Sequence, residues 1–375
     1  MNDKKVLQEY IPPIKLAPDG YLDENGNPKA LKHLSEGITT LDETFEENNY
    51  QIKRAWRTYS PRNIGQDNIG RMAYVPETSM RKSESRIKRK KGNKPYWILA
   101  LNKARDQRPK TEDTKSETDV KIHHCKLCKN ILETMMAITK IGNYHITPNG
   151  FPYFDYAFLG IDGSTPFRAQ TDLPRPEEIE TWGKICAVFN LAAFFNPPGA
   201  GASIYEHQHV QLFEPRVFKL DGKLTPLPLF NEEFTEEIPV RGDSSDVFYV
   251  RGYPIPTLMF LGYNAPDKVA NAAHLARELN FAFNIEVLIA DDQEKFYFQL
   301  RNPANETSIC MKRKCGGLEM MGVALLGDIE ERSGERNITT DGTKVSTKMS
   351  YNTMRKNLIN ASYPKEFLDY IAKRF

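Results

Sequence analysis

The chain has 375 residues, too many for one small core, and points to two domains or a repeated unit. Hydrophobic residues make up 40% and charged residues 27%, the balance of an ordinary globular protein. A net charge of +2 excludes a strong overall nucleic-acid footprint, and no apolar run approaches the ~20 residues that span a bilayer, so neither nucleic acid nor membrane is an expected partner.

Met1-Asn2-Asp3-Lys4-Lys5 is followed by no signal-peptide core, and five cysteines are odd in number and sparse. Both features lead to the expectation of a cytoplasmic protein without a disulfide framework. Residues 1–95 read as a polar, irregular N-terminal extension. It ends in a basic loop, 81–94, with eight Lys/Arg and one Glu. That loop has no apolar periodicity. It is either a solvated loop or a contact for phosphate or nucleic acid.

Tyr96–Leu101 is expected to be the first core strand, and residues 103–120 a loop. Asn143–Thr147 and Tyr153–Gly160 read as paired strands around the Pro148-Asn149-Gly150 turn. Glu177–Phe195 reads as an amphipathic helix, with Ile179, Trp182, Cys186, Phe189 and Ala193 on one face. A glycine-rich loop, Asn196–Ser203, leads into a strand over Ile204–Phe213.

A second block follows the same order of elements. Strands are expected at Phe248–Gly252 and Thr257–Gly262, then a helix over Pro266–Leu279. Phe283–Ala290 and Lys295–Leu300 read as a hairpin around Asp291-Asp292, and Leu318–Leu326 as a further strand. The tail from Glu330 is polar and weakly helical at Tyr363–Phe375. The expected organisation is an extension over 1–95, a first half over 96–215, a second half over 216–330 and a tail over 331–375. The class is α+β, with two related halves.

Chemistry concentrates on one strand. Alternation puts Tyr205, His207, His209 and Gln211 on one face and turns Val210 and Leu212 towards a core, with Gln208 an irregularity. Imidazoles and amides in a row are costly to bury without a function, although two hydrogen-bonded strand histidines would be the plain alternative. The preceding Gly199-Ala200-Gly201-Ala202-Ser203 lets backbone approach a phosphate closely, with the Ser203 hydroxyl as a donor. A neutral imidazole can attack the α-phosphorus of a nucleotide without prior deprotonation. Gln211, Ser203 and the loop N–H groups of Gly201 and Ala202 could meet the charge that develops. A glutamine cannot act as a general acid, which favours transfer to phosphate or a sugar phosphate over hydrolysis.

The segment GAGASIYEHQHVQLFEP resembles the active site of the histidine-triad superfamily in its His-x-His-x-Gln branch. That branch holds galactose-1-phosphate uridylyltransferase, diadenosine tetraphosphate phosphorylase and GDP-L-galactose (GDP-hexose) phosphorylase. The Gly-Ala-Ser is most similar to the diadenosine phosphorylases. Three segments of the second half, VRGYPIPTLMFLG, FNIEVLIADDQEKFYFQLR and GGLEMMGVALL, are similar to the GDP-hexose phosphorylases. The resemblance covers roughly residues 125–328. It implies a duplicated antiparallel sheet with helices on one face. It also implies His209 as nucleophile, oriented by the backbone carbonyl near His207, with Gln211 on the transferred phosphoryl group. Ser203, Gly201, Ala202 and Asn196 would belong to the phosphate loop. Some relatives pair two subunits around the site, so a homodimer is an expectation of the resemblance.

Cys125-Lys126-Leu127-Cys128 has the spacing of a zinc thiolate pair, and zinc takes four ligands. The uridylyltransferases place a similar CxxC upstream and use the first histidine of the motif as a ligand, which implies a structural zinc on Cys125, Cys128 and His207. Their fourth ligand is a histidine in a stretch that here reads Gly163–Leu173 and contains none. His124 or His145 would have to substitute, or the cysteines are buried thiols. No organic cofactor is expected. The leading functional expectation is a nucleotidyltransferase or phosphorylase. It would split a nucleotide-sugar or dinucleotide through nucleotidyl-His209, with phosphate or a sugar phosphate as acceptor. A nucleotide hydrolase, or a non-catalytic nucleotide- or RNA-binding protein, are the alternatives.

Overall fold

The computed structural model describes residues 49, 52–53, 72–75, 97–101, 127, 139–149, 156–164, 166–216, 218–220, 223–232, 235–241, 246–291, 293–305, 307–308, 313–326, 336–340, 343–347 and 351–375. Strands β1 (Met72–Val75) and β2 (Trp97–Leu101) come first. Then come β3 (Thr139–Ile141), β4 (Tyr144–Pro148), β5 (Phe158–Asp162), helix α1 (Pro176–Phe189), β6 (Ala192–Phe195) and β7 (His209–Phe213). A short hairpin, β8 (Phe218–Leu220) and β9 (Lys223–Thr225), is followed by β10 (Glu236–Pro239), β11 (Val247–Arg251) and β12 (Leu258–Phe260). Helix α2 (Ala265–Glu278) then leads to β13 (Ala282–Ala290) and β14 (Gln293–Arg301). The chain closes with β15 (Thr307–Ser308), β16 (Arg313–Lys314), α3 (Gly317–Met320), β17 (Val323–Leu326), β18 (Arg336–Thr340), β19 (Thr343–Thr347), α4 (Tyr351–Asn360) and α5 (Lys365–Ala372).

Ten of these strands form one antiparallel sheet in the order β10-β11-β12-β14-β13-β6-β7-β5-β4-β3. Outward from the β6–β13 pair, both sides run in the same order, and α1 and α2 occupy equivalent places between the third strand out and the central one. Both helices cover one face. Ile179 and Trp182 of α1 and Ala270 and Ala273 of α2 share a core with Val210, Leu212, Phe283, Ile285, Phe296 and Phe298. Each large apolar side chain fully buried there contributes ~1.5–3 kcal/mol. The opposite face carries His209, Gln211, Asn284, Glu286 and Gln299, because alternation sends the neighbours of the core residues there.

Several expected elements differ. The helix expected over Glu177–Phe195 ends at Phe189. Asn190 takes a left-handed conformation with its N–H on the Cys186 carbonyl, and Ala192–Phe195 become the central strand β6. Tyr96–Leu101 gives β2, but it pairs with β1 and β17 in a separate three-stranded sheet rather than in the main one. Within the stretch expected to be irregular, β1 forms and Ile52 reaches the main core. Leu318–Leu326 divides into α3 and β17. The tail contributes to the core as well, through Leu368 and Ile371 of α5. The basic loop 81–94 lies outside the described residues.

Candidate active site

The strand expected over Ile204–Phe213 starts only at His209, so the alternation argument covers His209 and Gln211 but not Tyr205 or His207. Val210 and Leu212 do face the helices. Gln208 lies on that side too, fully buried, and its amide oxygen accepts the Tyr144 hydroxyl at 3.0 Å.

His209 is buried. Its Nδ1 lies 2.9 Å from the carbonyl oxygen of His207. A carbonyl can only accept, so Nδ1 carries a proton, and in the neutral ring the lone pair then falls on Nε2. His207 is fully buried; its Nε2–H donates to the Asp162 carbonyl and its ring stacks on Phe167 with centroids 4.4 Å apart. Burial pulls its pKa below the ordinary imidazole value, against the Asp162 carbonyl bond and carboxylate, which raise it. His207 is thus held as a neutral ring whose main-chain oxygen orients the next histidine.

Gln211 is half-buried, and its Oε1 accepts the Asn149 amide at 2.9 Å. That bond turns the NH₂ of Gln211 outward as a donor. Asn149 itself is tied by its backbone N–H to the Ala157 carbonyl at 2.9 Å. Nothing in the sequence beyond the turn signal marked Asn149 as a partner of the site.

The glycine-rich loop is shaped from the second half of the chain. Asn196 Oδ1 accepts the Asn284 amide and the Gly317 N–H, each at 2.8 Å. The Asn284 amide also reaches the Ala200 carbonyl at 3.1 Å. Asn196 therefore braces the loop with its side-chain oxygen. Within the loop Ala202 is buried and Ser203 half-buried. Gly201 has φ +98°, and a Cβ there would sit 2.3 Å from Gly316 Cα and 2.7 Å from the Cys315 carbonyl. Backbone cannot yield as a side chain does. Gly201→Ala is expected to cost ~1–3 kcal/mol. Thermal unfolding checks this; an unchanged midpoint would contradict the close approach.

The zinc expectation meets two facts. Cys125 and Cys128 lie outside the described residues, and among the described residues no three His, Cys, Asp or Glu side chains are placed to hold a metal ion. His207 gives its Nε2 to the Asp162 carbonyl and does not fit as a ligand through that nitrogen. His145 stands beside it; its ring packs on Gly163, and burial, then Lys140, lower its pKa, with His207 adding to the effect. Leu127, between the two cysteines, is buried against Leu159 and Ile161. His274 is exposed on α2, away from the motif strand.

No known protein family matches the sequence, and no curated protein matches it. Among solved structures, the chain is similar to yeast Ap4A phosphorylase Apa2 in complex with AMP, at 12% identity over 86% of this chain and 96% of that one, with a TM-score of 0.49. A second structure of yeast Ap4A phosphorylase Apa2 matches at 13% identity over 84% and 94%, TM-score 0.49. The complex of the same yeast enzyme with Ap4A matches at 12% identity over 87% and 98%, TM-score 0.48.

Proposed function

We propose that this chain is a nucleotidyltransferase of the phosphorylase type, splitting a nucleoside diphosphate-sugar or a dinucleoside polyphosphate through a covalent nucleotidyl-His209. Nε2 of neutral His209 attacks the α-phosphorus. An N–P bond forms while the bridging P–O bond breaks, and its electron pair leaves on the departing phosphate group. An oxygen of inorganic phosphate or of a sugar phosphate then attacks the same phosphorus, the N–P bond breaks, and the imidazole is regenerated.

The observation that carries this reading is the bond from His209 Nδ1 to the His207 carbonyl at 2.9 Å. In a neutral ring it leaves the lone pair to Nε2. It also stabilises the positive charge that the ring gains as Nε2 gives up its electrons. The outward NH₂ of Gln211 would meet the growing charge on the phosphoryl oxygens. Neither Gln211 nor Asn149 can donate a proton to a leaving group. A phosphate leaving group needs none, whereas an alkoxide would. The duplicated histidine-triad architecture is part of the same reading, supported by the matching strand order on both sides of β6–β13.

The test is intact mass after incubation with GDP-, UDP- and ADP-sugars and with diadenosine polyphosphates. The expected result is an acid-labile gain of one nucleoside monophosphate, discharged by phosphate or a sugar phosphate. GDP-sugars come first, since the second half most resembles GDP-hexose phosphorylases. Free monophosphate released without an acceptor would make the chain a hydrolase. No adduct from any donor, with nucleotides unchanged in solution, would defeat the proposal and leave a binding protein.

A further inference from the structure

The register of β6 against β7 pairs Ala192 with Phe213, Ala193 with Leu212 and Phe194 with Gln211. Continued by one more hydrogen-bonded step, it would bring Asn196 opposite His209. That rung is not made, because β6 ends at Phe195 and the chain turns into the glycine-rich loop. On its other side His209 is the register partner of Ile161, but there the main-chain bond runs from Asp162 N–H to the Gln208 carbonyl at 3.0 Å. The N–H and C=O of His209 therefore point into the gap that β6 leaves, where no strand can meet them.

The side chain of Gln170 fills this gap. Its Oε1 accepts the His209 N–H at 2.7 Å. Its Nε2 donates to the His209 carbonyl at 3.1 Å and to the Asn196 carbonyl at 2.9 Å. One amide thus stands in for the missing rung, bridging the two residues that the register would have paired. A primary amide suits the place: one acceptor and two donors match one N–H and two carbonyls.

The amide is held from behind by its own loop. Gln170 is 1% exposed, and its backbone N–H donates to the Tyr205 carbonyl at 3.0 Å. The Asp162 carboxylate accepts the Ser164 hydroxyl at 2.6 Å and the Arg168 N–H at 2.8 Å. The Arg168 guanidinium grips the Glu178 carboxylate and reaches the Leu173 carbonyl at 2.7 Å. The Arg168 carbonyl accepts the Gln208 N–H at 2.7 Å. Phe167 of the same loop covers the His207 ring. The described residues of Gly163–Leu173, a stretch that lacks the histidine of the metal-binding pattern, thus clamp the segment leading into the motif strand.

We infer that Gln170 is the positioning residue for His209: its side-chain amide completes the sheet at that residue and so fixes the direction of the imidazole. The inference rests on His209 being the nucleophile proposed above. The ring is tied to the His207 carbonyl, so its aim depends on the backbone torsions between residues 207 and 209, and the clamp fixes the end of that segment. A displacement of about 1 Å at a nucleophile costs on the order of 10²-fold in rate.

Gln170→Met keeps length and bulk but none of the three bonds. The expected result is slower nucleotidylation of His209, about 10–100-fold in single turnover, with donor KM changed by less than about threefold. Hydrogen exchange supplies a readout that needs neither turnover nor a variant. In the native chain the His209 amide should exchange as slowly as the paired amides of Val210–Leu212, and in Gln170→Met it should exchange much faster than they do. If Gln170→Met does not fold, rapid exchange of the native His209 amide still overturns the clamp. Adduct formation at the native rate in a folded Gln170→Met overturns the positioning role while leaving the nucleophile in place. Failure of the native chain to form any adduct counts against the proposed reaction, and the exchange pattern then reports on the clamp alone.

Discussion

Replacing His209 with alanine should lower nucleotidyl transfer by about 10⁴-fold or more while the chain stays folded. On the proposed mechanism the loss is large because, among the described residues around His209, Gln211 and Asn149 are amides and His207 has its Nε2–H on the Asp162 carbonyl. The fold should survive because the Gln170 clamp binds only the main chain of residue 209, which alanine keeps. The expected cost to stability is about 1–2 kcal/mol, for one buried imidazole and its bond to the His207 carbonyl. Added imidazole should restore part of the rate in His209→Ala by attacking the same phosphorus from the vacated space. Rescue together with loss of the mass adduct would identify the nucleophile. Native turnover in His209→Ala would mean that the covalent step runs through another residue or does not occur.

The sequence made the motif strand legible because polar side chains are dense there. Two histidines and a glutamine at alternate positions after small residues have few explanations, and Val210 and Leu212 marked the core side without ambiguity. Hairpin β13–β14 and helix α2 were also legible, since long alternating and 3.6-residue patterns compete poorly with anything else. The helix expected over Glu177–Phe195 ran too far for a local reason. Ala192, Ala193 and Phe195 continue the apolar pattern, and only the left-handed Asn190 breaks it. The supports of the site were hidden. Gln170 and Asn149 act across 39 and 62 residues of chain, through single amides in loops of ordinary composition. Periodicity carries no information about such bonds. A signal did exist for the second half: Glu286 lies within the apolar run Ile285–Ile289, where a strand in the middle of a sheet has no solvent to offer it.

Arg301 and Glu286 carry the second large effect. Arg301 is fully buried and gives its guanidinium to the Asn284 Oδ1 at 2.5 Å, the Cys315 carbonyl at 2.7 Å and the Ala361 carbonyl at 3.0 Å. These bonds join β13, the segment before α3 and the end of α4, and through Asn284 they reach the glycine-rich loop. Arg301→Met leaves three buried acceptors without their donor, which should cost roughly 3–5 kcal/mol and lower the unfolding midpoint by on the order of 10 °C. It should also raise the donor KM, because Asn284 would lose its anchor. Glu286 makes the effect depend on pH. Its carboxyl is fully buried with neither oxygen hydrogen-bonded. Burial pushes its pKa well above 4.5, while the Arg301 charge pulls it down. Below 4.5 both the folded and unfolded chains hold this proton and the residue exacts no ionisation penalty. As pH rises above that value the unfolded chain releases the proton and the folded chain keeps it, so stability falls until the folded pKa is passed. Without the Arg301 charge that window extends to higher pH. Glu286→Gln should therefore gain stability relative to the native chain as pH rises from 4 to 8, and the double variant should be less destabilised at pH 8 than the sum of the singles. Denaturant unfolding of the four proteins at both pH values measures this; additive effects that do not change with pH would show that the two groups do not share one electrostatic environment.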